Sequence, residues 1–216
     1  EADVVVTERL RIQRHGAVPM EPRALLAEYD AEREHLSLWG AAKVKHFNRR
    51  CLAELLGMAE GDVRLIECDV GGGFGGRGEF YPEDFLIPFI ALKVGRPVKW
   101  TEDRREHLMA ANHSREILWE LEIAARKDGT ILGLRATALA NAGAYVRTHG
   151  GIVPTNAAKS LLGPYRIPNY ECTYSVVMTN KTGMGTYRAP GFYESCFAME
   201  RMLDMVAMDL DIDPVA

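Results

Sequence analysis

Eight consecutive residues in the first half of the chain contain six glycines: Gly71-Gly72-Gly73-Phe74-Gly75-Gly76-Arg77-Gly78. Ordering such a segment is costly, because glycine loses more conformational freedom on folding than any other residue. Close backbone approach is the physical benefit, since without Cβ atoms several N–H groups can converge on an oxo group, a phosphate or a ring edge. The run therefore predicts a ligand-binding loop, with a tight structural crossover that binds nothing as the alternative.

The conformation expected of this loop follows from its neighbours. A strand-like stretch ends at Val70, and a helix is expected after Pro82. We expect a compact turn between them, with at least one glycine at positive φ and the Phe74 side chain packed rather than free in water.

Two nucleotide-binding motifs are considered for the same loop and disfavoured. Gly71-x-Gly73-x-x-Gly76 has the spacing of the dinucleotide fingerprint, but six residues intervene before any helix, and position 96, where an acid is required, is Arg96. A P-loop lacks its Gly-Lys-Ser/Thr ending. A nucleotide-binding module therefore remains a weak alternative, which a dinucleotide-binding assay tests.

Composition narrows the class of protein. The chain has 216 residues, 47% of them hydrophobic, which suits one globular domain or two small ones. A net charge of -4 with scattered lysines and arginines disfavours nucleic-acid binding. No apolar run reaches the ~18 residues of a membrane span, so a cytoplasmic protein is expected. Because the chain starts at Glu1 and opens directly into a strand-like stretch, we expect a segment of a longer polypeptide.

The cysteines give no metal-ligand pattern. They are far apart and form no CxxC pair, so neither a zinc site nor an iron–sulfur cluster has its usual spacing. We predict no protein-ligated metal and four reduced thiols buried in the core: Cys51, Cys68, Cys172 and Cys196.

Strand and helix signals alternate, which predicts an α+β fold with mixed sheets and packed helices. Stretches rich in β-branched or aromatic residues, or alternating in polarity, predict strands at 4–12, 36–39, 63–70, 98–101, 116–126, 131–141 and 170–179. Asp128-Gly129 predicts a hairpin turn between the fifth and sixth of these. Helices are predicted at 47–56, about 83–94 with an internal Pro88, and 193–210, whose stripe of Met199, Met202, Val206 and Leu210 indicates core packing.

At the glycine loop the sequence resembles the molybdenum hydroxylase family, which comprises the large subunits of xanthine dehydrogenases, aldehyde oxidases and aerobic carbon monoxide dehydrogenases. The resemblance extends over nearly the whole chain. Six ordered blocks carry it: Val70–Gly76, Gly95–Arg104, Ala125–Gly129, Asn141–Tyr145, Tyr165–Asn169 and Thr186–Arg188. The resemblance implies that residues 1–216 form the first part of a molybdenum-cofactor-binding domain within a larger subunit.

The resemblance also implies a chemistry. A pyranopterin cofactor, as molybdopterin or its cytosine dinucleotide form, would hold one molybdenum through its own sulfurs. The intact enzyme would hydroxylate an aldehyde or N-heterocycle C–H with oxygen derived from water. Electrons would leave through iron–sulfur clusters and FAD on partner chains or domains, and the intact enzyme is expected to be an oligomer.

Residue by residue, the resemblance assigns cofactor contacts to two blocks: Gly72, Gly73, Phe74, Gly75 and Gly76 in the first, and Tyr187, Arg188 and Ala189 in the second. Arg188 matches the arginine whose loop lies over the molybdenum, and its forked donors suit an oxo group or the pterin. An ordinary surface arginine is the alternative. Arg115, or Ser114 if the match shifts by one residue, corresponds to a substrate-pocket position; we therefore predict catalytic roles for Arg188 and Arg115.

Several departures from the family limit the substrate. Xanthine-type enzymes carry an acid at the position of Gly78, whereas Glu79 is displaced by one, so a purine is disfavoured. Carbon monoxide dehydrogenases carry a cysteine where this chain has Ala189. The glutamine that contacts the metal oxo group in many members falls near His15, which is either a structural hydrogen-bonding residue or a substitute.

The resemblance implies that the general base is a glutamate in a Gly-x-Gly-Glu segment later in the subunit than the six matched blocks, and no such segment lies between Arg188 and the last residue, Ala216. We therefore expect the 216 residues by themselves to lack a complete active site. A folded subunit-interaction domain that binds no cofactor in isolation is the competing hypothesis, and molybdenum analysis distinguishes the two.

Overall fold

The structure is a computed structural model that describes residues 1–40 and 44–215. These residues fall into two compact units. The first unit comprises 1–15, 114–185 and 189–215, and the second comprises 16–40, 44–113 and 186–188. The chain therefore returns to the second unit for three residues, 186–188, which precede the last helix in the sequence.

Within the described residues the strands are β1 (Val4–Ile12), β2 (Ala24–Asp30), β3 (His35–Trp39), β4 (Val63–Ile66), β5 (Val98–Thr101), β6 (Glu116–Ala125), β7 (Ile131–Gly143) and β8 (Tyr170–Met178). The α-helices are α1 (Lys45–Leu56), α2 (Pro82–Val94), α3 (Arg104–Ala110), α4 (Ile152–Ser160) and α5 (Phe192–Leu210). Short 3₁₀ turns span Glu60–Asp62 and Gly76–Gly78. The α+β class with mixed sheets is confirmed. None of the helices found in the described part of the chain is long and apolar enough to cross a membrane.

The first unit contains a four-stranded sheet in the order β1-β6-β7-β8. β1, β6 and β7 are antiparallel neighbours, and β8 runs parallel to β7. β6 buries every second residue, the period-2 pattern of a strand with one face on a core. α5 covers this face with Met199, Met202 and Val206, all buried, so the predicted core stripe is confirmed.

The hairpin between β6 and β7 turns at Lys127–Thr130, as predicted. Gly129 has φ +83°, and its N–H donates to the carbonyl oxygen of Arg126 at 3.0 Å. The Asp128 carboxylate accepts the N–H of Thr130 at 3.0 Å. The turn therefore uses the left-handed conformation that glycine adopts without steric cost.

The second unit contains a four-stranded sheet in the order β4-β3-β2-β5. β2 pairs antiparallel with β3 and β5, and β3 pairs parallel with β4. α1 and α2 contribute Leu52, Ala53, Ile87 and Ala91 to the core of this unit. Pro82 stands at the first position of α2, and Gly95 ends the helix at φ +64°. The helix continues through Pro88, which has no N–H to donate to the carbonyl of Asp84.

Three elements were not predicted. β2 is rich in alanine, leucine and glutamate, which favour helices, but pairing on both of its edges overrides that preference. α3 begins with a reciprocal capping box between Asp103 and Glu106, a sequence signal that was available. α4 has no such cap. β4 also ends at Ile66, not at Val70 as predicted.

The prediction of four buried thiols is wrong. Cys51 and Cys172 are half-buried, Cys68 and Cys196 are exposed, and all four are free. Cys68 lies beyond the end of β4, and Cys196 lies on the exposed side of α5. Whether a cysteine is buried depends on which face of its strand or helix it occupies. The residue type alone does not determine that face.

Candidate functional site

The glycine loop is a compact turn in the second unit, between β4 and α2. Gly72 and Gly75 have φ +105° and +96°, which confirms the prediction of positive φ. A Cβ at Gly75 would lie 3.0 Å from the carbonyl oxygen of Thr186. Glycine is therefore required at this position both by its conformation and by the close approach of another segment.

Phe74 is exposed over 53% of its area, so the prediction of a packed side chain is wrong. One edge of its ring lies against Gly72, where a Cβ would be 2.9 Å from Cε2. Phe74 itself has φ +48°, a left-handed conformation uncommon for a non-glycine residue. The backbone of the loop, and not a hydrophobic pocket, decides where this ring points.

Residues Glu21 and Pro22 form hydrogen bonds with the loop. The N–H of Gly71 donates to the Glu21 carboxylate at 2.6 Å, and the N–H of Glu21 donates to the carbonyl of Gly71 at 3.2 Å. The buried Arg77 donates to the carbonyl oxygens of Gly72 at 2.8 Å and Pro22 at 3.0 Å. Burial lowers the pKa of the Arg77 guanidinium. These contacts fix the loop without any ligand.

The segment Thr186–Arg188 lies directly against the loop. The N–H of Arg188 donates to the carbonyl of Phe74 at 2.8 Å, and the Thr186 hydroxyl donates to the carbonyl of Gly75 at 2.8 Å. The Asn112 side-chain amide donates to the carbonyl of Thr186 at 2.8 Å. The second unit thus brings together the predicted residues Gly72, Gly73, Phe74, Gly75, Gly76, Tyr187 and Arg188.

The loop presents a row of backbone donors. Within the part of the chain that the structure describes, the N–H groups of Gly72, Gly73, Phe74 and Gly75 have no hydrogen-bond partner. The three glycines are half-buried, and Phe74 is exposed. Such consecutive donors suit an acceptor-rich ligand, because backbone polar groups are otherwise paired. The residues present therefore fit a cofactor that brings its own metal ligands.

Ala189 and Arg115 lie in the first unit. Arg115 has 0% exposure, and its guanidinium forms an ion pair with the equally buried Glu194 and donates to the carbonyl of Ala189 at 3.3 Å. Glu194 in turn accepts the N–H of Gly191 at 3.0 Å. Arg115 therefore fixes the backbone that follows Arg188, while its predicted catalytic role stays a prediction.

His15 also belongs to the first unit, and its contacts are structural. Its N–H donates to the Ser114 hydroxyl at 2.6 Å, and its Nδ1 lies 3.3 Å from the hydroxyl of Tyr193. The ring nitrogen and the phenol share a hydrogen bond whose direction depends on the tautomer. Of the two interpretations of this histidine, its contacts favour the structural one.

From the sequence, Glu79 was identified only as an acid displaced from the purine position, and neither its burial nor its partner was predicted. Gly76-Arg77-Gly78-Glu79 has the Gly-x-Gly-Glu form, but Glu79 is only 1% exposed. Its carboxylate accepts the N–H of Thr186 at 2.9 Å. The pattern was present in the sequence, but the partner is 107 residues away, so no local signal indicates it.

Protein metal ligands do not gather anywhere in the described residues: no group of three or more histidines, cysteines, aspartates or glutamates is arranged to hold a metal ion.

Comparison with known proteins gives one family. A model described as "Molybdopterin cofactor-binding domain" matches residues 1–216. A solved structure of quinoline 2-oxidoreductase from Pseudomonas putida 86 superposes with a TM-score of 0.94 at 32% sequence identity, over 99% of this chain and 27% of that one.

Two curated relatives come from Paenarthrobacter nicotinovorans. The gamma subunit of its 6-hydroxypseudooxynicotine dehydrogenase complex is 42% identical over 212 residues, which cover 98% of this chain. The large subunit of its nicotine 6-hydroxylase is 36% identical over 216 residues, which cover 99% of this chain. The chain spans only 27% and 26% of the lengths of these relatives.

Proposed function

The chain belongs to the molybdopterin cofactor-binding domain family, and we propose that it forms the first part of the cofactor-binding domain in the large subunit of a molybdenum hydroxylase. The intact enzyme hydroxylates a C–H bond of a small molecule with oxygen derived from water. One observation carries the proposal: the four backbone N–H groups of Gly72–Gly75 without a partner in the described residues, beside the segment that carries Arg188.

The residues of the two blocks have distinct roles in this proposal. The N–H groups of the glycine loop bind acceptor atoms of the pyranopterin cofactor, and the missing Cβ atoms let it approach. Arg188 is bonded to the same loop through its backbone N–H, and the forked donors of its guanidinium suit an oxygen acceptor. Tyr187 and Ala189 flank this arginine and contribute cofactor contacts.

Arg115 has a different role. Its buried side chain holds the carbonyl of Ala189 and the carboxylate of Glu194, which in turn binds the N–H of Gly191. We assign it to catalysis as a positioning residue that acts through this backbone.

When bound, the cofactor would supply the two-electron redox chemistry of molybdenum. The electrons leave through iron–sulfur clusters and FAD on partner subunits or domains, with which the large subunit forms an oligomer. We place the enzyme in the cytoplasm, where free thiols such as the four described here persist.

The substrate proposed is an N-heterocycle, with an aldehyde as the second candidate. The names of relatives, nicotine 6-hydroxylase and quinoline 2-oxidoreductase, favour the heterocycle. Ala189 follows Arg188 where carbon monoxide oxidation would call for a cysteine. Glu79 is displaced by one residue from the acid of a purine site and is buried against Thr186, which disfavours a purine.

Gly73→Ala tests the loop. A Cβ at Gly73 would lie 3.8 Å from the Arg77 side chain and Gly73 has no positive φ, so the fold tolerates the methyl group, which adds bulk to the loop that we propose the cofactor approaches. We expect the purified intact enzyme to keep its melting temperature and to lose most of its molybdenum. Gly61→Ala, where nothing lies within 4 Å, is the matched control.

Three results would contradict the proposal. Full molybdenum content in a folded Gly73→Ala enzyme would remove the loop from the cofactor site. Absence of molybdenum and pterin from the wild-type enzyme would favour the subunit-interaction domain instead. Turnover of neither heterocycles nor aldehydes by the loaded enzyme would refute the substrate class.

A further inference from the structure

Glu79 is the buried acid at the end of the glycine loop. Its carboxylate lies 2.9 Å from the N–H of Thr186 and 3.2 Å from the Thr186 hydroxyl oxygen. An ionised carboxylate accepts hydrogen bonds and donates none, so the backbone N–H is its fixed donor here. The two residues are 107 positions apart in the chain, and both belong to the second unit.

The segment that Glu79 holds is strained two residues later. Arg188 has φ +22° and Ala189 has φ +51°, both in the region that non-glycine residues rarely adopt. Such conformations persist only where the surrounding structure enforces them. Thr186 and Arg188 are enforced by hydrogen bonds to the loop, and the Thr186 carbonyl is held by Asn112.

Among these contacts, Glu79 supplies a side-chain carboxyl oxygen as the acceptor. The hydroxyl of Thr186 has a single proton and lies 2.8 Å from the Gly75 carbonyl, its shorter acceptor contact. The Thr186 N–H donates to Glu79, so the two donors of this residue have different acceptors. Both residues are buried, and a hydrogen bond in the low-dielectric interior is stronger than one in water, which makes this contact a restraint on the segment.

We propose that Glu79 is a positioning residue: its buried carboxylate fixes Thr186 and thereby sets the place of Arg188 against the glycine loop. The role of Arg188 toward a cofactor rests on the proposed function, but the restraint itself does not. Glu79 then acts through Thr186, without contact with substrate.

The restraint is measured directly by amide deuterium uptake in the intact protein, over peptides that cover 184–191. We expect Glu79→Ala to raise uptake there by about ten- to a hundred-fold in rate, while peptides from β6 and β7 exchange as in the wild type. Glu79→Gln keeps one acceptor oxygen for the Thr186 N–H and is expected to restore most of the protection. Glu60→Ala, an exposed acid of the same unit that pairs with Arg49, is the matched control.

Unchanged uptake at 184–191 in a folded Glu79→Ala protein would overturn the proposal, and so would faster exchange throughout the second unit that glutamine does not reverse. Molybdenum content, kcat and KM of the same variants separate this inference from the proposed function. Faster deuterium uptake confined to 184–191, with unaltered molybdenum content and kcat, supports the restraint and contradicts the role given to Arg188. Local loosening with a lower kcat at unaltered KM, partly rescued by glutamine, supports both.

Discussion

Left-handed backbone conformations at non-glycine residues mark the site at the scale of single residues. Phe74, Arg188 and Ala189 all have positive φ, and the first two are joined by a backbone hydrogen bond of 2.8 Å. Each such conformation costs on the order of 1 kcal/mol or more, so it is kept where the fold imposes it. Three of the six non-glycine residues at positive φ in the described part of the chain therefore lie in the two blocks that were predicted to contact the cofactor, and the other three are Glu34, Val44 and Asp211.

Arg188→Ala is expected to damage catalysis more than Arg166→Ala in the intact enzyme. Both arginines follow a tyrosine and both side chains are exposed, but only Arg188 is tied to the glycine loop. Loss of charge-assisted hydrogen bonds to an oxygen acceptor should cost about 2–4 kcal/mol of transition-state stabilisation, a ~10²–10³-fold lower rate.

Arg188→Lys should recover only part of that loss, because lysine lacks the planar fork. Turnover and molybdenum content are measured side by side for Arg188→Ala, Arg188→Lys and Arg166→Ala. Equal turnover of the two alanine variants at full cofactor loading would show that the role assigned to Arg188 is wrong.

Arg115→Ala is expected to destabilise the first unit strongly. The substitution leaves Glu194 as a buried charge without its ion-pair partner, which should cost about 3–5 kcal/mol in the free energy of unfolding. Arg135→Ala breaks exposed ion pairs in the same unit and should cost less than ~1 kcal/mol. Denaturant unfolding compares them, and similar losses in both variants would contradict the structural role of the buried pair.

At the scale of elements, charged side chains tie strand ends together. Glu116 opens β6 and accepts hydrogen bonds from Lys181 at 2.7 Å and from Arg11 on β1 at 2.7 Å. These bonds lower the pKa of the Glu116 carboxyl to about 2. The carboxylate therefore joins the start of β6 to β1 and to the segment after β8.

Glu116→Gln is expected to lose a pH-dependent part of the stability. Because the folded pKa is below the ordinary value, the ionised carboxylate stabilises the fold above about pH 4.5, and that stabilisation is lost as the pH falls toward 2. The variant should be less stable by about 1 kcal/mol at pH 7, a figure reduced for solvent screening, and the difference should shrink in acid.

Thermal unfolding at pH 7, 4 and 3 measures this difference. Glu120→Gln, whose carboxylate makes an exposed ion pair with Arg9, is the control and should behave like the wild type. A difference between Glu116→Gln and wild type that stays constant from pH 7 to 3 would argue against the predicted linkage.

The loop between β4 and α2 should tolerate a methyl group at some glycines only. Gly75→Ala forces alanine to φ +96° and places its Cβ 3.0 Å from the Thr186 carbonyl, so we expect a loss of about 2–3 kcal/mol in stability. Gly61→Ala, with nothing within 4 Å, should change stability by less than ~1 kcal/mol. If both variants melt at the same temperature, the close approach of Thr186 does not constrain the loop.

At the scale of the whole molecule, the 216 residues span about a quarter of the length of their curated relatives. We expect these residues, expressed alone, to give no turnover of purines, aldehydes or N-heterocycles with a dye acceptor. The reason is that the general-base glutamate and the electron-accepting groups expected of the family are not found among them. Measurable turnover with molybdenum bound would contradict this expectation.

The sequence determined the family, the α+β class and most of the elements of this protein, because those depend on local signals. The hairpin at Asp128-Gly129, the core stripe on α5 and the positive φ of the glycine loop all follow from residue type and spacing within a few positions. Each of the six blocks that carry the family resemblance can be recognised from its own residues. β2 was missed because pairing on both edges outweighed a local helical preference.

Tertiary structure alone decided how the site is held. The Glu79–Thr186 contact joins residues 107 positions apart, and the Asn112–Thr186 contact joins residues 74 positions apart. The exposure of Phe74 and of Cys68 likewise depends on what surrounds them in space. Hydrogen bonds between distant residues leave no periodicity or motif in the sequence, because their geometry exists only after the chain has folded.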